Sequence, residues 1–189
     1  KNTLKSYVKK YSFNYPIVIK PSNEGSSIGV KICRNYNELK RSFGQLKKNY
    51  KTLIFEKYIG GQEVQVAVMN GKALGAIELR PKRKFYDYTA KYFKSAKTKH
   101  IMPANISKKN YQKVLKIAER THKALKCRGV TRCDFKILNN KFYLLEINTQ
   151  PGMTNLSLVP EIAKYRGISF DNLVKRIILD ASIDRWLNQ

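Results

Sequence analysis

Alternating apolar and polar residues predict several short strands, and apolar residues at helical spacing predict the helices between them. Valines at every second position of residues 63–69 predict a strand, and Asn70-Gly71 predicts a two-residue turn into a partner strand over residues 72–79. Apolar residues at i, i+4 and i+7 predict an amphipathic helix over residues 37–48. A longer helical face follows Ser107, whose hydroxyl suits an N-cap.

Shorter patterns complete the predicted elements. Strands are expected at residues 16–20, 28–33, 52–58, 130–138 and 142–148, and short helices at residues 160–165 and after Ser169. Residues 80–102 have no clear period and mix charged with aromatic side chains, which is typical of a functional or disordered loop. The pattern therefore predicts a chain of mixed helices and strands.

Composition narrows the class of protein. The 189 residues include 38 Lys+Arg against 13 Asp+Glu, a net charge of +25 that first suggests a nucleic-acid binder. A hydrophobic share of 42% excludes a disordered basic tail, and no apolar run approaches the roughly 20 residues of a membrane span. Three cysteines without C-x-x-C spacing argue against a disulfide scaffold or zinc site and fit a reducing cytosol. Because the sequence opens at Lys1 rather than Met, we expect a piece of a longer protein.

Two of the predicted strands carry polar residues at alternate positions. Arg132 and Asp134 share one face of their strand, and Glu146 and Asn148 share one face of theirs. Two carboxylates and a carboxamide offer the hard oxygen ligands that suit Mg²⁺, which completes its shell with water and phosphate. The alternative is a solvated polar strand face without a ligand.

The turn between these strands decides whether the two polar faces coincide. With a two-residue turn at 139–140, Asp134 lies opposite Leu145. With a three-residue loop at 139–141, Asp134 faces Glu146 instead, and asparagine tolerates the left-handed position that such a loop needs. The metal site requires the second register.

A second chemical signal is the loop of small residues at 22–27, directly after Lys20. Small residues let backbone N–H groups approach phosphate oxygens, and the lysine adds a positive charge. The loop lacks the Gly-Lys-Ser/Thr of a Walker A sequence, so an ordinary turn is the alternative.

Three segments together resemble one known family. They are KPSNEGSSIG at 20–29, FYDYTAKY at 85–92 and EINTQPGMT at 146–154, and they resemble the D-alanine–D-alanine ligase family of the ATP-grasp superfamily. The resemblance implies an α+β ATP-grasp fold, with two subdomains of largely antiparallel sheets that clasp ATP. It assigns residues 1–56 to the central lid domain and residues 57–189 to the C-terminal catalytic domain. The family's N-terminal substrate domain has no counterpart in this sequence.

The resemblance also implies roles for individual residues. Those implied to bind the nucleotide are Lys20, Ser22, Gly25, Ser26, Ser27, Glu56, Lys57, Tyr58, Ile59, Glu63 and Lys91. Those implied to hold the metal are Asp134, Glu146 and Asn148. Those implied to act in catalysis or site closure are Ser26, Tyr92, Arg132 and Gly152. Those implied to bind the second D-alanine are Gly152, Ser157 and Leu158.

The implied activity is the ATP-dependent joining of two D-alanines through an acyl phosphate, for peptidoglycan synthesis in the cytoplasm. The implied ligands are ATP, D-alanine and Mg²⁺, with Mn²⁺ as a substitute. A homodimer of the full-length enzyme is compatible with the resemblance. Neither nucleic acid nor a membrane is an expected partner. One alternative is a ligase with D-lactate or D-serine as acceptor, although the tyrosine at position 92 favours dipeptide products. The other is a non-catalytic RNA-binding protein, since residues 88–94 mix aromatic and basic side chains. Because the family places residues for the first D-alanine upstream, activity of this chain alone is left open.

Three other side chains that could do chemistry are expected to be structural. His100 and His122 are predicted to be structural, with His122 packing on the face of its helix. Cys133 lies between Arg132 and Asp134, so its thiol should face away from them and pack in the core.

Overall fold

The computed structural model describes residues 4–25, 27–81, 98–154 and 157–182. The chain divides into two compact units: one runs up to Ile59, and the other comprises Gly60–Arg80 and the residues from Thr98 onward. The domain boundary expected from the sequence lies after Glu56 and stays a prediction. None of the helices in the described ranges is long and apolar enough to cross a membrane.

Among the residues that the structure describes, the first unit contains a three-stranded antiparallel sheet and two helices. Its elements are α1 (Leu4–Lys10), β1 (Ile17–Pro21), β2 (Lys31–Cys33), α2 (Tyr36–Leu46) and β3 (Leu53–Lys57), with the strand order β2-β1-β3. Alternate residues of β1 point into the core, where Ile17 and Ile19 pack with Leu39 of α2. Helix α2 begins at a reciprocal cap, because the Asn35 side chain accepts from the Glu38 N–H at 2.9 Å while the Glu38 carboxylate accepts from the Arg34 N–H at 2.8 Å.

Within its described residues, the second unit contains a five-stranded antiparallel sheet and three helices. Its elements are β4 (Gln62–Met69), β5 (Lys72–Arg80), β6 (Lys99–Ile101), α3 (Lys108–Ala124), β7 (Val130–Leu138), β8 (Lys141–Asn148), α4 (Leu158–Tyr165) and α5 (Phe170–Asp180). The strand order is β6-β5-β4-β7-β8. The valines of β4, together with Cys133 and Phe135 of β7, pack against Val114 and Ala118 of α3. This core covers one face of the sheet, so the alternate residues of the same strands occupy the other face.

Most sequence-predicted elements are present, with adjusted ends. The caps at Ser107 and Ser169 are confirmed, since each hydroxyl accepts a backbone N–H three residues later, at 3.3 and 3.2 Å. The strand predicted at 28–33 is shorter, because Ser27 and Gly29 have positive φ angles of 63° and 72° and form a turn before β2. The sequence did not predict α1 or β6, and β6 lies within the segment interpreted as a loop.

The β7–β8 hairpin resolves the register question in a way that neither alternative described. Its turn has two residues, Asn139 and Asn140, with φ angles of 51° and 58°, and Leu138 pairs with Lys141. Of the two alternatives, the turn is therefore the two-residue one, at 139–140. A register shift between Asp134 and Phe135 places one extra residue in β8, so that Asp134 pairs with Glu146. The bulge produces the pairing that had been attributed to a longer turn.

The buried His122 of α3 is structural, as predicted. It is 2% exposed, and its Nδ1 lies 2.9 Å from the Thr131 hydroxyl of β7. Burial, which disfavours the charged imidazolium, lowers the pKa of His122 below its ordinary value.

We expect this histidine to make folding stability depend on pH. Because the folded-state pKa is below the unfolded value of about 6.5, its stabilising contribution is complete above that pH and is lost as the pH falls below it. Urea denaturation should therefore show that the free energy of unfolding declines from pH 8 to pH 5, and His122→Gln should reduce this decline. His100→Gln, which changes an exposed histidine, is the control and should leave the decline in place. An identical pH profile for wild type and His122→Gln would contradict this assignment.

Candidate functional site

The face of the five-stranded sheet opposite the α3 core carries polar residues on three adjacent strands, β4, β7 and β8. We call these seven residues the polar face: Glu63, Gln65, Arg132, Asp134, Lys136, Glu146 and Asn148. Strand pairing sets their arrangement, with Gln65 opposite Asp134, and Asp134 opposite Glu146. Arg132 lies opposite Asn148, so the four residues singled out by sequence spacing share one surface.

Arg132 and Asp134 form a bidentate ion pair within β7. The Arg132 Nε lies 2.7 Å from Asp134 Oδ1, and Nη2 lies 2.9 Å from Oδ2. Both side chains are largely buried, at 14% and 8% exposure. Two parallel hydrogen bonds fix the plane of the guanidinium, and the pairing offsets the desolvation of both charges.

The two remaining predicted metal ligands lie on β8. Glu146 is exposed, and Asn148 is partly buried. The Asn148 Oδ1 accepts the Gln150 N–H at 3.0 Å, which orients the carboxamide and leaves that oxygen a second acceptor position. Within the described ranges, no three His, Cys, Asp or Glu side chains come together as a metal-binding group, and the predicted set here is two carboxylates and one amide. A ligand set made up only of oxygen atoms fits a hard divalent cation.

Glu63, the predicted ribose-binding residue, is paired with a lysine that the sequence interpretation missed. Lys136 Nζ of β7 lies 2.8 Å from Glu63 Oε2 of β4, with the side chains 18% and 13% exposed. Lys136 follows Asp134 by two positions and so belongs to the same face, which is the signal that could have found it.

Gly152, Ser157 and Leu158 meet at the start of α4. The Ser157 hydroxyl accepts the Thr154 N–H at 3.0 Å and lies 2.9 Å from the Thr154 hydroxyl. A Cβ at Gly152 would come within 2.9 Å of the Ser157 hydroxyl oxygen, so glycine permits this close approach. Leu158, the first residue of α4, is buried. The structure thus brings these three predicted residues together.

In the first unit, the structure pairs two of the predicted nucleotide-binding residues. Lys20 Nζ of β1 lies 2.8 Å from Glu56 Oε1 of β3, and their side chains are 22% and 39% exposed. They share a face because the register places Glu56 opposite Val18, two residues from Lys20. The pair holds a lysine ammonium beside the loop that follows β1.

That loop turns tightly after β1. The Ser22 N–H donates to the Thr52 carbonyl at 3.2 Å, and the Gly25 carbonyl accepts the Ile28 N–H at 2.9 Å. Ser27 adopts a left-handed φ of 63°. These backbone contacts define a loop of small residues next to Lys20, as the sequence predicted.

The remaining predicted residues fall into two groups. Lys57 ends β3, Tyr58 donates its N–H to the Pro16 carbonyl at 3.2 Å, and Ile59 follows it. Ser26, Lys91 and Tyr92 lie outside the described residues. Their implied roles in site closure stay predictions.

Cys133 points away from the polar face, as predicted. It is fully buried in the α3 core, and burial, followed by the nearby Asp134 charge, raises its pKa to about 12.

We expect iodoacetamide at pH 8 to leave Cys133 unmodified in the folded chain, because the reactive species is the thiolate. Mass spectrometry should find modification at the partly exposed Cys127 instead, and at Cys133 only after addition of urea. Rapid modification of Cys133 in the folded chain would contradict the burial of its thiol.

Comparisons with known proteins converge on one family. The family described as "D-ala D-ala ligase C-terminus" matches residues 2–179. The D-alanine–D-alanine ligase of Pelagibacter ubique is 58% identical over 174 residues, which cover 92% of this chain and 57% of that protein. The ligase of Rickettsia typhi is 47% identical over 173 residues, covering 89% of this chain and 53% of that protein.

Solved structures give the same result. A crystal structure of D-alanine–D-alanine ligase from Bacillus anthracis matches with a TM-score of 0.81 and 33% identity, covering 95% of this chain and 58% of that chain. A structure of the Bacillus anthracis ligase complexed with ATP matches with a TM-score of 0.78 and 30% identity, covering 95% and 57% of the two chains. The present chain thus spans less than two thirds of the length of each of these relatives.

Proposed function

This chain belongs to the D-alanine–D-alanine ligase C-terminal family, and from that membership we propose that it supplies the ATP- and Mg²⁺-binding part of a ligase that joins two D-alanines. Its fold is the α+β ATP-grasp fold of those ligases, as the sequence predicted. One observation carries the proposal: strand pairing and the β8 bulge put Arg132, Asp134, Glu146 and Asn148 on one face. The ATP complex of the Bacillus anthracis relative supports ATP as the nucleotide.

In this proposal Asp134, Glu146 and Asn148 hold a divalent cation, Mg²⁺ or Mn²⁺. Their oxygen donors fit a hard ion that retains several waters. When bound, the cation would neutralise negative charge on the ATP phosphates during transfer. Arg132 keeps one of these ligands, Asp134, in a fixed orientation through its two hydrogen bonds.

Other residues are proposed to bind the nucleotide itself. Lys20 and the loop at 22–27 would contact the phosphates, since the small loop residues allow backbone N–H groups to approach the anion. Residues 56–59 would lie along the adenine. The Glu63 carboxylate would accept hydrogen bonds from the ribose hydroxyls, held in place by Lys136 at 2.8 Å.

The proposed reaction has two steps. An oxygen of the first D-alanine carboxylate attacks the γ-phosphorus of ATP, which gives ADP and D-alanyl phosphate. The neutral amine of the second D-alanine then attacks the carbonyl carbon of D-alanyl phosphate. The tetrahedral intermediate expels phosphate and the amine nitrogen loses a proton, which gives the dipeptide. Arg132 and the Gly152 N–H would donate to the oxyanion, because preorganised donors in a partly buried site stabilise developing charge. Ser157 and Leu158 would bind the carboxylate of the second D-alanine.

Thermal unfolding of the chain tests this proposal. Mg·ATP should raise Tm by several degrees, since a ligand at about 100 times its Kd adds roughly 2.7 kcal/mol. ATP with EDTA should raise Tm less, and single-stranded RNA should not raise it. A further rise with D-alanine, compared with D-lactate or D-serine, would distinguish the acceptors. Absence of any rise with Mg·ATP, together with salt-sensitive RNA binding, would overturn the ligase assignment.

A further inference from the structure

Gln65 lies at the centre of the polar face but belongs to none of the residue sets above. It is 1% exposed, and β4 pairs it with Asp134 of β7 on one side and with Ile77 of β5 on the other. Since Asp134 pairs in turn with Glu146, the three residues Gln65, Asp134 and Glu146 form one row across β4, β7 and β8. Directly opposed residues of antiparallel strands have Cβ atoms about 4.5–5.5 Å apart, so the Gln65 side chain stands beside Asp134, one of the proposed metal ligands.

The carboxamide oxygen of Gln65 is buried without a hydrogen-bond donor from any residue that the structure describes. Other buried polar groups of the same unit have partners. Glu78 accepts from Arg80 and from the Asn105 N–H, and Asp134 accepts from Arg132. An unpaired buried acceptor destabilises the folded state by the hydration it has lost. The position of Gln65 therefore requires a donor that the described residues do not supply.

A water molecule on a bound cation is such a donor. Mg²⁺ held by few protein ligands keeps several waters, and the cation polarises their O–H bonds. Ile77, on the other side of Gln65, is apolar and buried, so the polar surroundings of Gln65 along the row are on the Asp134 side. A neutral carboxamide can accept from that water without adding a third negative charge to Asp134 and Glu146.

We propose that Gln65 Oε1 accepts a hydrogen bond from a water bound to the divalent cation that Asp134, Glu146 and Asn148 hold. This inference rests on the metal site of the proposed function and adds a residue to it. Gln65 acts through the water, so it is a positioning residue that sets metal affinity.

Mn²⁺ binding to the 189-residue chain tests the inference. Electron paramagnetic resonance measures free Mn²⁺ during titration in the presence of saturating ADP, which has no γ-phosphate to transfer. Gln65→Met, which keeps the length and approximate volume of the side chain, should weaken Mn²⁺ binding by about tenfold, as loss of a hydrogen-bond partner around a metal shell typically does. Its metal-free Tm should equal or exceed that of wild type, because the unpaired acceptor is gone.

Gln65→Glu provides the conservative comparison. It keeps an acceptor and adds a negative charge beside the cation, so it should bind Mn²⁺ at least as tightly as wild type while its metal-free Tm falls. If Gln65→Met does not fold, this variant decides the question, and weaker Mn²⁺ binding by Gln65→Glu would overturn the inference.

The outcomes separate the inference from the proposed function. If wild type binds Mn²⁺, Glu146→Gln binds it poorly and Gln65→Met binds it like wild type, the inference fails and the metal site stands. A Gln65→Met variant with lower metal-free Tm and unchanged Mn²⁺ affinity would show a structural glutamine, paired with an internal water. If wild type binds no Mn²⁺, or Glu146→Gln binds it as wild type does, the proposed metal site fails and the inference fails with it.

Discussion

Arg132→Met should lower the free energy of unfolding by about 3 kcal/mol or more, because it leaves the buried Asp134 carboxylate without its guanidinium partner. The Asp134 side chain is 8% exposed, and both of its oxygens accept from Arg132, at 2.7 and 2.9 Å. Urea denaturation at pH 7 measures the loss.

Two control variants make this result specific. Arg80→Met also removes an arginine from a buried carboxylate, but Glu78 keeps hydrogen bonds from Gln62 at 3.3 Å and the Asn105 N–H at 3.2 Å. Its loss of stability should therefore be clearly smaller. The double variant Arg132→Met, Asp134→Leu removes both charges and should recover most of the stability. A double variant no more stable than Arg132→Met would show that the loss does not come from an unpaired Asp134 carboxylate.

Glu146→Gln should weaken binding of Mg·ATP by roughly a hundredfold or more, because it removes one of the two carboxylate ligands of the proposed cation site. Glu146 is exposed on β8, so the substitution should leave folding stability nearly unchanged. Isothermal titration with a nonhydrolysable ATP analogue, with and without Mg²⁺, measures the affinity.

Glu161→Gln is the matched control for this prediction. Glu161 lies on α4 and pairs with His100 at 2.7 Å, outside the polar face. The same charge change there should leave the affinity for Mg·ATP unaltered. A Glu146→Gln variant that binds Mg·ATP as tightly as wild type would contradict the assignment of Glu146 as a metal ligand.

Local signals in the sequence predicted much of the fold because they depend on neighbouring residues. Asn70-Gly71 forms the predicted hairpin turn with φ angles of 48° and 75°, which asparagine and glycine adopt readily. Ser107 and Ser169 begin helices as expected because the capping hydrogen bond lies within three residues. In contrast, β6 has three residues, too few for an alternation to be recognised, and it forms by pairing with β5.

The candidate site required a nonlocal feature that no spacing rule specified. Two asparagines with left-handed φ angles favour a two-residue turn, and that turn alone would have placed Asp134 opposite Leu145. The bulge in β8 shifts the pairing by one and brings Glu146 opposite Asp134. A bulge depends on how the strand packs, so the sequence left two registers open, and the structure combines parts of both.

The residues missed on the polar face could have been found by extending the alternation. Gln65 follows Glu63 by two positions, and Lys136 follows Asp134 by two, so each shares a face with a residue that the sequence had singled out. Recognising their significance needed the cross-strand register, which shows Lys136 beside Glu63 and Gln65 beside Asp134.

The same register changes the interpretation of the net charge of +25. In the second unit, Lys136 and Arg132 pair with Glu63 and Asp134 on the polar face, and in the first unit Lys20 pairs with Glu56. These basic residues are among those proposed to bind an anionic small molecule, ATP, or to orient side chains that bind it. The excess charge is therefore not by itself an indication of nucleic-acid binding.

A crystal structure of this chain with Mg²⁺ and a nonhydrolysable ATP analogue tests the central claim most directly. The account predicts a cation on the polar face, with oxygens of Asp134, Glu146 and Asn148 at about 2.0–2.1 Å and the remaining positions filled by phosphate oxygens and water. Nucleotide bound elsewhere on the chain, or a cation that none of these three side chains contacts, would contradict it.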